Sequence, residues 1–301
     1  MSELADALRL FWPAVVAGLA IALACGALSV FVVLRRLAFV GHGISHAAFG
    51  GVGVAAALGL IGGTAATLVG DVGRFVVVAA FCVAAALAIA WSSGHGRGGR
   101  SRVGAMREDA AIGIALVGSM ALGALLLFWR SRQGGDMGGA SIEGWLFGSI
   151  LTVSATDAAA AWIVALGAMG AVLVERRRLV FWAFDEEAAE AFGVSALRSR
   201  TALMLTLAVT IVAAMKLAGV ILVTALLVIP GAAALRMSDR LGAVFAWSVG
   251  VSVMGIGAGL GLSYRANLPP GPSVVMALVA LLAGAWVIGW LRSARSAPAQ
   301  A

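Results

Sequence analysis

The sequence predicts an all-α integral membrane protein, a polytopic bundle of about nine (eight to nine) transmembrane helices, and three observations support this class. Apolar residues make up 62% of the 301 residues, charged residues make up 12%, and the mean hydropathy is +1.03, outside the range of soluble domains. The apolar residues form runs of roughly 20, the length with which a helix crosses a hydrocarbon core of about 30 Å. Most basic residues lie just beyond those runs, as they do in cytoplasmic loops.

The first five apolar runs each have the length of one span. The first is too long for the core of a signal peptide and follows Glu3 and Asp6, so we expect it to remain as a membrane helix. The connections leave no room for a soluble domain, which predicts a single transmembrane domain over residues 1–301. In order, these five spans are residues 11–34, 39–61, 75–91, 110–129 and 158–174.

Residues 201–235 are too long for one span, because 35 residues in one helix would measure about 52 Å. Lys216 and Gly219 offer a break that gives two short spans, 201–215 and 217–235. With that break, 15 of the 21 basic residues fall on one side of the membrane and six on the other. One long span would reduce the contrast to 12 against 8. The positive-inside rule therefore favours nine spans with an external N-terminus and a cytoplasmic C-terminus, and eight spans are the alternative.

Two of the three histidines lie four positions apart in VGHGISHAAFGG, residues 40–51, at the start of the second predicted span. On a helix, His42 and His46 share one face, with Cβ atoms about 5–6 Å apart. Imidazole nitrogen is a good ligand for zinc and other first-row divalent ions, and ionisable groups within a membrane usually line a pathway. We therefore predict a transient metal site at His42 and His46; two packing histidines bonded to backbone carbonyls are the alternative.

A second stretch, FDEEAAEAFGV at residues 184–194, is acidic yet lies in the most basic predicted cytoplasmic loop, about residues 175–200. As a helix it places Ala188, Ala191 and Phe192 on one face and its glutamates on another, which suits docking into a groove on a partner. A solvated surface helix is the alternative. The sequence contains no Gly-x-x-x-x-Gly-Lys-Ser/Thr loop, so we expect any nucleotide to be hydrolysed on another chain.

Pro230 lies near the predicted cytoplasmic end of its span. A proline there removes a helical hydrogen bond and predicts a kink. The kink is either a point of movement during gating or a static bend.

Six segments, in order along nearly the whole chain, resemble recurring segments of the metal-ion ABC transporter permeases, the ABC-3 type of integral membrane subunit. They are residues 33–51, 107–114, 145–154, 183–194, 213–234 and 267–275. This family imports zinc, manganese or iron. The resemblance implies a transport subunit without its own ATPase site and without a permanently bound cofactor, in the inner (plasma) membrane of a bacterium. It also implies the partners: a second copy of the permease, two ABC ATPase subunits and an extracytoplasmic metal-binding protein, with no role for nucleic acid.

Within residues 184–194, the pattern resembles the EAA-type cytoplasmic loop of ABC importer permeases, where a short helix inserts into the ATPase subunit. The resemblance assigns ATPase coupling to Asp185, Glu186, Glu187, Ala188, Ala189 and Gly193.

The chain departs from the family pattern at two positions. The family has Gly-Asp-x-x-x-His at the start of the second span; His46 matches its histidine, whereas His42 stands where its aspartate is expected. A nitrogen ligand in place of a carboxylate shifts the expected cargo from manganese towards zinc. Ser149 stands where relatives often carry an acid, so no metal role is expected there.

Three alternative functions remain open at this point. A siderophore or haem permease of the ABC class differs in what its binding protein holds. An ion-coupled secondary transporter usually needs carboxylates inside the membrane, and none falls in the middle of a predicted span. An intramembrane metalloenzyme needs a third ligand and a general base.

Overall fold

The computed structural model describes residues 2–60, 68–92, 108–133 and 153–296. Every regular element in these ranges is an α-helix, which confirms the all-α class. The helices are α1 (Ser2–Leu34), α2 (Ala38–Ala57), α3 (Leu68–Ser92), α4 (Glu108–Arg132), α5 (Ala155–Phe184), α6 (Glu186–Ala191), α7 (Ala196–Met237), α8 (Leu241–Ala266) and α9 (Pro270–Ser296).

Within the described residues, eight helical segments are long and apolar enough to cross a membrane. The predicted second span forms the 20-residue helix α2, but it is not among the eight. His42, His46 and five glycines lower the hydropathy of α2, so the count of eight arises from α2 and not from an unbroken span over residues 201–235. The orientation of the termini stays a prediction.

The predicted break within residues 201–235 is confirmed. Gly219 interrupts α7 with φ 76° and ψ 166°, a left-handed conformation that glycine adopts without the strain of a Cβ atom. Two segments of α7, Ala196–Met215 and Leu217–Met237, each qualify as one membrane span.

Three sequence features lie outside the described residues. They are the loop with His95, which we predict to be solvated, the segment 145–151, which we predict to be a short helix or re-entrant piece, and Ser149 within it. By contrast, Cys25 and Cys82 lie in α1 and α3, and both are buried free thiols, as their apolar surroundings predict.

The chain forms two compact units, and each is described by itself. The first unit comprises Met1–Arg36, Leu146–Val174 and Lys216–Ala301; the second comprises Leu37–Trp145 and Glu175–Met215. The prediction of one domain over residues 1–301 stays a prediction.

In the first unit, α8 packs against both α1 and α9. Glycines allow the close approach: a Cβ atom added to Gly26 of α1 would lie 2.8 Å from the Oγ of Ser252, and one added to Gly259 of α8 would overlap Val274 of α9. Small residues bring membrane helices into van der Waals contact, which drives their association where lipid removes the hydrophobic effect.

Candidate metal site and coupling helix

In the second unit, the glycines of α2 fix the face that this helix buries. A Cβ atom added to Gly50 would lie 2.7 Å from the Phe81 ring of α3 and 2.8 Å from the carbonyl oxygen of Ser119 in α4. One added to Gly53 would lie 2.7 Å from the Cα atom of Gly123, also in α4. The backbone of α2 therefore approaches two neighbouring helices as closely as only glycine permits.

The histidines lie earlier in α2, in a stripe formed by Phe39, His42, His46 and Phe49. Spacings of four and seven residues place His46 on the same side of the helix as these glycines. Phe39 and His42 are exposed, and His46 and Phe49 are half-buried. The imidazole ring centroids are 4.3 Å apart, with an angle of 68° between the ring planes. The rings are thus adjacent, as their spacing predicts, and their role as ligands stays a prediction.

Ser45 is a polar residue of α2 that sequence reasoning did not single out. It is 2% exposed, and its Oγ has no hydrogen-bond partner among the described residues. Its place between the two histidines is the only sequence signal that points to it. Serine is common in apolar helices, so that signal is weak.

Among the described residues, no three histidine, cysteine, aspartate or glutamate side chains come close enough together to hold a metal ion. His42 and His46 are two ligands of one helix. The tetrahedral coordination of zinc needs about four, so the remaining ligands of such an ion would be water, backbone carbonyls or groups from a second chain.

The acidic stretch forms the short helix α6, and its ends carry the signals that define it. Asp185 is the N-cap residue and accepts a hydrogen bond from the N–H of Ala188 at 2.9 Å, a contact that satisfies a free donor of the first turn. Gly193 ends the helix with φ 83°, and the N–H of Val194 donates to the carbonyl of Ala189 at 2.8 Å. This pattern is the Schellman motif, which favours glycine.

An ion pair joins α6 to the start of α7. The Arg200 guanidinium donates to the Glu186 carboxylate at 3.1 Å, and the Arg200 side chain is only 8% exposed. Glu186 therefore connects α6 to the first turns of α7. It does not serve as a free acidic group for a partner.

The faces of α6 differ from the prediction in one respect. Ala189 is completely buried, whereas Ala188, predicted on the apolar docking face, is half-buried. Ala191 is exposed, as are 80% of Phe192 and 61% of Phe184. We call these three exposed residues the Phe192 patch; large exposed apolar surfaces mark interaction sites.

Pro230 lies within α7 and is buried. The N–H of the next residue, Gly231, donates to the Ser29 Oγ of α1 at 2.8 Å. The non-helical backbone within α7 lies at Gly219, so the sharp break precedes Pro230 by about three turns. Whether Pro230 moves in gating stays a prediction.

These features define a class: a multi-pass membrane permease, with paired imidazoles on one helix and a capped acidic helix ahead of a broken span. The chain matches the ABC 3 transport family over residues 7–288. It therefore belongs to that family, as the six segments predict.

Relatives and a solved structure agree with this family. The chain is 30% identical over 272 residues to the manganese transport system membrane protein MntC of Halalkalibacterium halodurans, covering 90% of this chain and 84% of that protein. It is 27% identical over 274 residues to the high-affinity zinc uptake system membrane protein ZnuB of Haemophilus influenzae, covering 89% and 93%. PsaBC from Streptococcus pneumoniae in complex with Fab has a similar fold, with a TM-score of 0.74, 25% identity and 95% of both chains covered.

Proposed function

We propose that this chain is the membrane subunit of an ATP-driven importer of divalent metal ions, with zinc as the main cargo and manganese or iron as further candidates. The observation that carries the proposal is the adjacency of His42 and His46 on α2, in a chain of the ABC 3 transport family. The ion passes the level of the two imidazoles as the permease alternates between outward and inward access.

The ligand chemistry supports zinc. Two imidazole nitrogens suit zinc better than manganese, which prefers carboxylate, carbonyl and water oxygens. A set of only two protein ligands also suits transport, because an ion in transit has to bind strongly enough to enter and weakly enough to leave. The metal is cargo in this proposal, and no resident cofactor is needed.

The coupling helix supports an ATP-driven mechanism. The Phe192 patch gives α6 an exposed apolar surface, and Glu187 and Glu190 are exposed beside it. The ion pair of Glu186 with Arg200 passes any displacement of α6 to α7. In the proposed assembly, two copies of this permease bind two ATPase subunits through α6, and an extracytoplasmic protein delivers the ion, in the inner membrane of a bacterium.

Uptake of labelled zinc and labelled manganese by cells that carry histidine variants tests the proposal. We expect His46→Ala to abolish zinc uptake, His42→Ala to reduce it, and His42→Asp to shift the preference towards manganese. His95→Ala is the matched control, because this third histidine belongs to a predicted solvated loop, and it should leave uptake unchanged.

Full zinc uptake in both alanine variants would end the metal-site proposal. Uptake by vesicles that contain this chain without an ATPase would favour the ion-coupled secondary transporter. A partner binding protein that holds a siderophore or haem would favour that class of ABC permease.

A further inference from the structure

We propose that Ser29 is a positioning residue for the cytoplasmic half of α7: its hydroxyl holds the backbone next to Pro230 and releases it when the transporter changes state. The hydrogen bond from the Gly231 N–H to the Ser29 Oγ is called the Ser29 latch below. The proposal rests on the proposed function, because a releasable contact matters only to a transporter that cycles between conformations.

The backbone at Pro230 explains why a contact is needed at this point. Proline has no N–H, and its ring crowds the carbonyl one turn earlier, so the helix loses a hydrogen bond there. The next donor along α7 is the Gly231 N–H, which lies 2.8 Å from the Ser29 Oγ. Ser29 and Gly231 are 202 positions apart in the sequence. A side chain of α1 thus supports α7 where proline weakens it.

The packing around the latch is too close for any side chain at position 231. Ser29 is completely buried. A Cβ atom added to Gly231 would lie 2.5 Å from the Ser29 carbonyl oxygen and 2.7 Å from its Oγ. About one turn further on, Val30, Ala234 and Val244 form an apolar cluster between α1, α7 and α8. The hydrogen bond therefore lies beside an apolar contact between these helices.

The chemistry of serine makes this contact releasable. A serine hydroxyl within a helix can donate its hydrogen to the carbonyl one turn earlier in its own helix, which for Ser29 is the carbonyl of Cys25. The Gly231 N–H has the carbonyl of Leu227 one turn earlier in α7. When α7 moves away from α1, each of these two donors therefore has an acceptor within its own helix. The latch opens without leaving a buried donor unpaired.

A second buried serine offers a matched control in the same unit. Ser248 of α8 is completely buried and donates to the carbonyl of Gly26 in α1 at 2.6 Å. This bond also joins a neighbouring helix to α1, but no proline lies beside it. Ser248→Ala and Ser29→Ala remove one buried hydroxyl each, but only Ser29→Ala removes a contact with the backbone next to Pro230.

The test uses the complete permease and ATPase complex in proteoliposomes and measures zinc ions transported per ATP hydrolysed, together with the unfolding temperature. We expect Ser29→Ala to lower the unfolding temperature and to reduce ions per ATP about fivefold, because α7 loses its hydrogen bond to α1 beside Pro230. Ser248→Ala should lower the unfolding temperature to a similar extent and leave ions per ATP unchanged.

A second background separates the latch from ordinary packing. In Pro230→Ala the helix regains the one hydrogen bond that proline removes, so α7 no longer depends on support at this point. Adding Ser29→Ala should then change neither the unfolding temperature nor ions per ATP any further. If the Ser29→Ala complex does not assemble, Ser29→Cys replaces it, both alone and combined with Pro230→Ala. A thiol is only a weak acceptor, so the same differences are expected.

The latch proposal is overturned if Ser29→Ala affects ions per ATP no more than Ser248→Ala does. It is also overturned if the effect of Ser29→Ala on the unfolding temperature is the same with and without Pro230. A wild-type complex that transports neither zinc nor manganese would instead overturn the proposed function. The unfolding temperatures would still decide whether Ser29 holds the backbone next to Pro230.

Discussion

The helix α2 and the second half of α7 both use glycine to approach a neighbour, yet the two contacts differ in kind. On α2, Gly50 and Gly53 pack against side-chain and backbone atoms of α3 and α4. Such close packing allows only one arrangement of these helices. On α7, Gly231 packs as closely against the Ser29 backbone of α1, but its N–H also donates to the Ser29 hydroxyl, a group that can turn and release it. The difference suggests a division of labour: α2 is a rigid support for the histidines, and α7 is the part that moves.

The largest expected effect tests the rigidity of α2. Gly53→Ala should lower the free energy of unfolding by about 1–3 kcal/mol, because its Cβ atom would meet the Cα atom and carbonyl oxygen of Gly123 at 2.7 and 2.8 Å, and backbone cannot give way cheaply. Gly118→Ala in α4 is the matched control, since no atom of the described residues lies within 4 Å of its Cβ position. It should be neutral or stabilise by up to about 1 kcal/mol.

Thermal unfolding of the purified chain in detergent measures both variants. Equal unfolding temperatures for Gly53→Ala and Gly118→Ala would show that the α2 contact yields easily. The contrast between a rigid α2 and a mobile α7 would then be wrong.

A smaller effect is expected at the Phe192 patch, the surface through which we propose that movement of the ATPase reaches α7. Phe192→Ser should weaken binding of the ATPase subunit about fivefold, roughly 1 kcal/mol, because a large exposed apolar side chain is lost from the docking surface. Phe128→Ser in α4 removes a side chain of similar exposure, 63% against 80%, far along the chain from α6. Titration of the ATPase onto the permease in nanodiscs compares the two, and equal affinities would remove α6 from the coupling route.

Much of the fold follows from the sequence because lipid imposes simple rules. Run length predicts the spans, and the excess length of residues 201–235 predicts the break that Gly219 provides. Within the site, the spacing of four predicts that His42 and His46 lie side by side, since the helix alone fixes that relation.

The remaining features depend on tertiary contacts that no local pattern encodes. The Ser29 latch joins residues 202 positions apart, and a serine in an apolar span has no distinctive signal. Sequence reasoning also did not single out Ala189, the residue of α6 that packs inward, for a similar reason. Six residues form fewer than two turns, so neighbours such as Arg200 decide its orientation and periodicity does not.

X-ray absorption at the zinc edge of the purified complex loaded with one equivalent of zinc tests the central claim most directly, because it reads the atoms bound to the ion. The account predicts two imidazole nitrogens at about 2.0–2.1 Å, and their replacement by oxygen in the variant that combines His42→Ala with His46→Ala. An identical first shell of ligands in the wild type and that variant would contradict it.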